Sequence, residues 1–344
     1  MSIQATAAKA GVSIATVSRV INGNGKVSEE TAQRVMQAMH EIGYQPRPVL
    51  LRRGRKTSNP PGLLHGNIAL LWTAGVRAAL SATGIGLMDG ATRAAASHGL
   101  SLIVDYLSDP NRIPPIVQAG KVDGILLQGP EPNEFISSKL REFPVVWMFY
   151  SGADDWGDRV QPDHERVGRL AAEYLLRQGH THLTCVTYPA NYAQHSFWTI
   201  RADAFRKFGT LGGAAVDVLE ASNDAQTLVG DFAEAADDVV RRVLQLSPRP
   251  TCLFVANSNM GIPIYHALSR QGIRPMKDMI LISGDQEELL NSGLDPRPVT
   301  VDIRATMIGQ YAVEQLLWRL QHKDQPARIC SLVEPMLVEP LGIG

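Results

Sequence analysis

Apolar positions along this chain follow two different rhythms. At the N-terminus they recur at i, i+3 and i+4, the period of a helix, and three short helices are predicted. The first runs from Ile3 to about Ala10, capped by Ser2 and closed by Gly11. The second runs from Ile14 to Asn22, capped by Ser13 and ended by Gly23-Asn24-Gly25. The third follows Ser28, carries Glu29 and Glu30 where the helix dipole favours negative charge, and stops at Gly43. Its apolar stripe is read as Ala32, Val35, Met36, Met39 and Ile42.

From Gly66 the rhythm changes to uninterrupted Val/Ile/Leu runs of strand length, separated by helical stretches. Predicted strands are Asn67–Thr73, Ser101–Leu107, Asp123–Gln128, Val145–Tyr150, Leu183–Tyr188, Ala215–Leu219, Cys252–Asn257 and Met279–Ser283. Helices are predicted over Met88–His98, Glu165–Gln178, Ser196–Phe208, Asp231–Leu246 and Asn259–Gln271. Apolar strands interleaved with helices mean parallel sheets covered on both faces. So much repetition implies two doubly wound parallel-sheet subdomains rather than one oversized sheet. Ligands in such folds sit at the carboxyl ends of the strands, which here means a cleft between two lobes.

Pro, Gly and Ser mark the stretch between the two regimes as a linker. The expected organisation is therefore an all-α head over 1–46, a linker over 47–65 and an α/β body over 66–344. The body's lobes are expected at roughly 66–159 plus 299–323, and 160–298 plus 324–344. The longest apolar runs, Ile68–Trp72 and Val145–Tyr150, are too short to cross a bilayer, and the N-terminus lacks the order of a secretory signal. Cys185, Cys252 and Cys330 are scattered, without metal-ligand spacing, and are read as buried packing residues in a reducing cytoplasm.

The net charge of −1 conceals an asymmetry. Residues 1–60 hold nine Lys and Arg against three acids, a net +6; the remaining 24 basic and 31 acidic residues give −7. A basic head on an acidic body fits a module that binds a polyanion. On the second helix, Val17, Val20 and Ile21 share one face, and Ala15, Ser18, Arg19 and Asn22 share the opposite one. Small residues with a single arginine allow a helix to approach base edges in a major groove, the arginine fork matching guanine O6 and N7. An ordinary three-helix module with a solvated polar face has the same pattern.

Ala7 through Gly23, followed by Val27-Ser28-Glu29-Glu30-Thr31 and Gly43-Tyr44-Gln45-Pro46, closely resembles the LacI/GalR family of bacterial repressors. The resemblance implies that the second helix is the recognition helix, with Ile14 and Ala15 at base-reading positions and Arg19 at a base or phosphate contact. It implies anchoring of the DNA backbone by Ser2, Ser13, Thr16, Ser18, Asn22, Lys26 and Tyr44. The family places a minor-groove hinge helix in the linker. Here Arg53 falls where the wedging leucine is expected, so either Leu50 or Leu51 takes that part in a shifted register, or Arg53 enters the groove. A basic tether that neutralises phosphates through Arg52, Arg53, Arg55 and Lys56 is the alternative.

The resemblance continues more loosely through Val122-Asp123-Gly124, Arg201-x-x-x-Phe205, Phe254-Val255-Ala256-Asn257 and Ile282-Ser283-Gly284-Asp285. It implies a bilobal body like the periplasmic sugar-binding proteins, a small effector between the lobes and side-by-side dimers. Arg201, Asn257 and Asp285 match effector-contacting positions, and a fork, an amide and a carboxylate suit a polyhydroxylated ligand. Trp72, Thr73, Phe149, Phe197 and Trp198 are further candidates; for the aromatics, stacking on a ligand and plain core packing are both open. Phe149 replaces a polar residue of some sugar-binding relatives.

Signals for enzymatic chemistry are weak. Gly84-Ile85-Gly86…Gly90 followed by Asp105 approaches a dinucleotide fingerprint, but its third glycine comes one residue late. Gly179-His180-Thr181-His182 lacks a third metal ligand, and no GxSxG, P-loop or HExxH is present. No cofactor or metal is expected. The expected function is a transcriptional regulator, a repressor, that binds near-palindromic double-stranded operator DNA as a homodimer or higher oligomer, under control of a carbohydrate-like effector. A sugar-binding protein or small-molecule enzyme on the same bilobal fold is the alternative.

Overall fold

The structure, a computed structural model, describes residues 3–22, 27–44, 63–149, 156–188, 196–221, 232–256, 258–285 and 293–340. The chain divides into two compact units between residues 58 and 59. In the first unit, α1 (Ile3–Ala10), α2 (Ile14–Asn22) and α3 (Glu29–Glu41) form as the periodicity requires. The Ser13 hydroxyl accepts from the Thr16 amide at 3.1 Å, and that of Ser28 from the Thr31 amide at 3.4 Å. Each satisfies a donor that a helix start leaves open. Ala7, Ala10, Val17, Val35 and Ala38 make the core, with Val20, Ile21 and Met39 half-buried around it. Met36, expected in the stripe, is 61% exposed. It lies one residue off the row of Val35, Ala38 and Met39, about 100° round the helix, and Ala38 fills the row instead.

In the second unit the chain builds one lobe, crosses to another, and then crosses twice more. The first lobe takes β1 (Asn67–Trp72), α4 (Val76–Ala79), α5 (Ala82–Ser97), β2 (Ser101–Tyr106), α6 (Pro115–Gln118), β3 (Gly124–Gln128), α7 (Glu134–Leu140), β4 (Val145–Met148) and β5 (Asp158–Pro162). The second takes α8 (His164–Arg177), β6 (His182–Thr187), α9 (Ser196–Leu211), β7 (Ala215–Glu220), α10 (Ala233–Leu244), β8 (Cys252–Val255), α11 (Ser258–Arg270), β9 (Ile280–Ser283) and β10 (Val299–Asp302). The helix over Ala305–Gln321, here α12, and β11 (Cys330–Val333) return to the first lobe, and β12 (Met336–Val338) ends in the second. Sheet orders are β11-β5-β4-β3-β1-β2 and β12-β10-β9-β8-β6-β7. All pairs are parallel except the edge pair β10–β12. This is the expected α/β bilobal body with two doubly wound sheets.

The lobe boundaries need correction. Val299 pairs with Ile282 in the second sheet, so 299–302 do not belong with the first lobe. Cys330–Val333 pair with Arg159–Pro162 in the first sheet, so 330–333 do not belong with the second, and the first crossing follows residue 162. These short strands are specified by distant pairing partners, which local patterning does not reveal. The strand expected to reach Tyr150 ends at Met148, because Phe149 turns to φ +61°.

The glycine run that approached a nucleotide fingerprint lies inside α5 and serves packing. A Cβ on Gly90 would fall 1.9 Å from the Thr306 carbonyl oxygen, and one on Gly309 2.1 Å from that of Leu87. The backbones of α5 and α12 thus touch. In the second lobe, Gly168 brings α8 equally close to α9, its Cβ position lying 2.0 Å from the Arg201 carbonyl.

Two buried carboxylates hold the first lobe together. Asp123 accepts from the amides of Leu64, His65, Gly66 and Asn67 at 2.6–3.2 Å, fixing the chain where it enters β1. Asp158 accepts from Arg319 and Gln315 of α12 and from the Ile329 amide ahead of β11. Among the described residues no helix is long and apolar enough to cross a membrane.

Candidate functional site

In the first unit, packing decides which face of α2 is available. Val17 is fully buried and Val20 and Ile21 are half-buried, so Ile14, Ala15, Ser18 and Arg19 form the outward arc. Ile14 is 48% exposed, and Ala15 and Arg19 are exposed. Ser13 and Thr16 are joined by a 2.9 Å hydroxyl–hydroxyl contact at the helix start. Tyr44 follows α3, its amide donating to the Met39 carbonyl at 2.9 Å. Ser2, Lys26, Leu50, Leu51, Arg53 and the side chain of Asn22 lie outside the described residues.

In the body, Arg201 of α9 occupies the carboxyl edge of the second sheet and is only 1% exposed. Its guanidinium donates to the carbonyls of Ala256 at 2.9 Å and Gly284 at 2.6 Å, the residues just after β8 and β9. It donates further to Asp285 Oδ1 at 2.9 Å and through Nε to His164 Nδ1 at 3.2 Å. β8 and β6 are where this sheet's order reverses, the switch point at which doubly wound folds bind ligands. Two of the three residues matched by resemblance, Arg201 and Asp285, are therefore brought together as a buried ion pair. Asn257 lies outside the described residues.

Aromatic rings extend this cluster across the lobes. Phe149, at the end of β4 in the first lobe, lies 6.1 Å from the His164 ring and 6.5 Å from the Phe197 ring, both of the second. His164 and Phe197 stack at 5.1 Å, Phe197 meets Trp198 edge-on at 4.8 Å, and Trp198 meets Tyr188 at 4.7 Å. The Arg201 guanidinium lies 5.8 Å from the Phe197 ring centre. Trp72 and Thr73 stand apart in role. Trp72 is fully buried in the core, while the Thr73 hydroxyl donates to the Gln128 and Pro130 carbonyls. The buried Nε1 of Trp72 and Oε1 of Gln128, in register at the ends of β1 and β3, have no hydrogen-bond partner among the described residues.

Sequence reading missed His164. It is the first residue of α8, capped by Asp163, whose carboxylate accepts from the Arg166 amide at 2.9 Å. Periodicity says nothing of such a position; only an imidazole at the lobe crossing marks it. Burial, seconded by the Arg201 charge, holds its pKa well below the ordinary histidine value. The ring is neutral, and because Nδ1 accepts from Arg201 its proton resides on Nε2.

The other titratable candidates are structural. His182 pairs with Asp217 at 2.7 Å and His180 with the Thr251 hydroxyl at 2.8 Å, and no group of three metal-ligand side chains is found among the described residues. Burial pushes the thiol of Cys185 up, and that of Cys252 up to about 12, so both are inert packing groups. Cys330, expected to be buried, is exposed on the edge strand β11.

A three-helix head with an exposed α2 face, joined to two lobes with a buried ion pair in the second and aromatic rings between them, defines an effector-responsive DNA-binding regulator. Residues 2–47 match the bacterial regulatory proteins of the lacI family, and residues 172–339 match a periplasmic binding protein-like domain. The head is thus that of the lacI family of bacterial regulatory proteins, and the body carries a periplasmic binding protein-like domain. Its relatives include the HTH-type transcriptional repressor PurR of Aliivibrio fischeri (strain MJ11), 28% identical with 96% of this chain and 95% of the relative covered. The ribose operon repressor of Escherichia coli (strain K12) is likewise 28% identical, with 96% of each chain covered. Among solved structures, the transcriptional regulator CelR in complex with cellobiose has a TM-score of 0.63 at 20% identity, over 99% of both chains. The Lac repressor bound to ONPG has a TM-score of 0.63 at 22% identity, over 99% of this chain and 98% of that one. Those two likenesses bear on the fold alone.

Proposed function

We propose that this chain is a cytoplasmic repressor, not an enzyme, in which a small effector held between the lobes controls operator binding by the head. Two copies pair through their bodies and set two α2 helices into successive major grooves of a near-palindromic site. Ile14 and Ala15 meet base edges, Arg19 a base or phosphate, and Ser2, Ser13, Thr16, Ser18, Asn22, Lys26 and Tyr44 hold the DNA backbone. Residues 47–65 form the linker, with Leu50, Leu51 or Arg53 reaching the minor groove. The single observation that carries this reading is the α2 arc of Ile14, Ala15 and Arg19, exposed beside half-buried Ser18 on a helix whose opposite face packs through Val17, Val20 and Ile21. That the curated relatives are repressors supports it.

The effector lies against Phe149, Phe197, Trp198, Arg201, Asn257 and Asp285, with Trp72 and Thr73 behind the first-lobe wall. A carbohydrate-like molecule suits the aromatic faces, and a hydroxyl can both donate and accept, which would serve Gln128 Oε1 and Trp72 Nε1, without a partner among the described residues. The coupling between effector and DNA is of ordinary allosteric size, about 1–3 kcal/mol.

Gel-shift titration against duplexes selected from a random pool tests the DNA half. The wild type should prefer a selected duplex over random competitor and Arg19→Ala should lose that preference; an equal response of both to any duplex sinks it. A thermal-shift screen of sugars on the full chain tests the other half. Asp285→Asn should keep operator binding and lose the response to any sugar that shifts the wild type. Retained response would remove this cleft from the account.

A further inference from the structure

Arg201 is spent on its own protein. Four of its five N–H groups donate to the Ala256 and Gly284 carbonyls, Asp285 and His164, and the Asp285 carboxylate at 2.9 Å balances its charge. A buried guanidinium so engaged cannot turn to a ligand anion without abandoning those partners. The sequence supplies no substitute. The segments leaving β1, β3, β4, β6, β7 and β8, residues 73–75, 129–133, 149–157, 188–195, 221–232 and 256–257, contain no lysine or arginine. Arg77 comes only inside α4, and Arg112 is exposed after β2 at the sheet edge. An anion buried against these strand ends would lack a counter-charge.

His164 offers what Arg201 does not. Its Nδ1 accepts from Arg201, so the ring is uncharged and carries its proton on Nε2, the nitrogen turned away from the guanidinium. Nε2 has no hydrogen-bond partner among the described residues. The ring lies between Phe149 of the first lobe and Phe197 of the second, its centre 6.1 Å from one and 5.1 Å from the other. On the first-lobe side, Trp72 Nε1 and Gln128 Oε1, without a partner among the described residues, are uncharged as well.

We infer that the cleft selects an uncharged effector and that His164 is a specificity-determining residue, donating its Nε2–H to an oxygen of that molecule. This deepens the effector reading given above and rests on it. A hydroxyl, ring oxygen or amide carbonyl accepts such a bond while the aromatic rings cover the apolar faces of the ligand. A phosphate or carboxylate on the same skeleton would exchange its hydration for a site whose guanidinium is already paired. The loss should be roughly a hundredfold or more in affinity.

The test uses the full chain and matched pairs of compounds: glucose with glucuronate, galactose with galacturonate, ribose with ribose phosphate, and adenosine with adenosine monophosphate. Isothermal titration gives the affinity. Ring nitrogen resonances of protein carrying isotope-labelled histidine report binding at this cleft, the His164 signal being the one lost in His164→Gln. At least one uncharged member should move that signal and bind roughly a hundredfold or more tighter than its acidic partner. His164→Ala should weaken this member about tenfold, the order of one hydrogen bond, and His164→Gln, whose amide can donate, should recover most of the loss. If His164→Ala does not fold, the resonance in the wild type decides alone. An acidic member that moves the His164 signal as readily as its uncharged partner overturns the charge selection and leaves the cleft standing. An uncharged member that binds with the signal unmoved overturns the part given to His164. If no member of either series binds, the cleft reading falls, and this inference with it.

Discussion

His164 is where protonation and fold meet in this molecule. Burial lowers its folded pKa, whereas in the unfolded chain it titrates near 6.5. Below that value the unfolded chain takes up a proton that the folded chain refuses, so the fold loses stability as pH falls through 6.5 towards the folded pKa. Above 6.5 both states are neutral and the group contributes no pH dependence. Urea unfolding between pH 8 and 5 should therefore show a steeper loss for wild type than for His164→Gln, whose amide oxygen can still accept from Arg201. Equal slopes would mean that His164 is protonated in the folded chain. Arg201→Ala removes the partner of buried Asp285 and abandons two strand-end carbonyls, which should cost about 3–5 kcal/mol in urea unfolding. Destabilisation under about 1 kcal/mol would argue that water replaces the guanidinium.

At the level of elements, glycines decide how near helices come. Gly90→Ala would drive a methyl into the Thr306 carbonyl, a backbone atom that cannot step aside without moving α12. The expected cost is about 3 kcal/mol or more, the upper end of overpacking. Gly86→Ala meets the Ala305 methyl at 2.9 Å and should cost less. Thermal unfolding of the two variants checks the order, and the reverse order would refute the backbone contact. Asp123→Asn replaces a carboxylate that takes four amides by a group with one acceptor oxygen. Stability should fall by about 2–3 kcal/mol, with faster hydrogen exchange at the amides of residues 64–67. Unchanged exchange there would show that the carboxylate is not what fixes this entry point.

What the sequence disclosed, and what it withheld, divides along these same elements. The head was readable because its helices are bounded by local chemistry, Ser13 and Ser28 at the starts and Gly11 and Gly43 at the stops. The central strands were readable because burial on both faces leaves continuous apolar runs. The short strands β10, β11 and β12 were not, since the place of each depends on partners far along the chain, and β11 and β12 at the sheet edges have exposed positions as well. Glycines at 84, 86 and 90 fell short of a fingerprint by one residue, but their packing role was not legible, because a motif letter does not say whether a glycine meets a phosphate or a helix. Of the cleft, Arg201 and Asp285 were legible through family likeness, yet their mutual closure and His164 became visible only in three dimensions.

For the whole molecule, charge and connectivity make separate predictions. The +6 carried by residues 1–60 implies that operator binding releases counterions. Raising salt from about 50 to 200 mM should weaken binding by about 10³ to 10⁵-fold for a dimer contacting six to ten phosphates. A salt-independent complex would contradict this. In the body, the chain crosses between lobes after Pro162, after Asp302 and after Val333. An ion pair at 3.4 Å between Arg166 and Glu334 ties the first crossing to the third. At the second, Arg304 adopts φ +58° with its amide held by Asp302 at 2.7 Å.

Direct contact between helix backbones, at Gly90 and Gly309 in one lobe and at Gly168 in the other, leaves no room for sliding inside either lobe. Each is a solid jaw, and compliance is concentrated in three short connections. Recognition chemistry can then drift, one lining side chain at a time, while the lever that reports it stays as it is. A lineage built on such jaws can change what it senses without relearning how to respond.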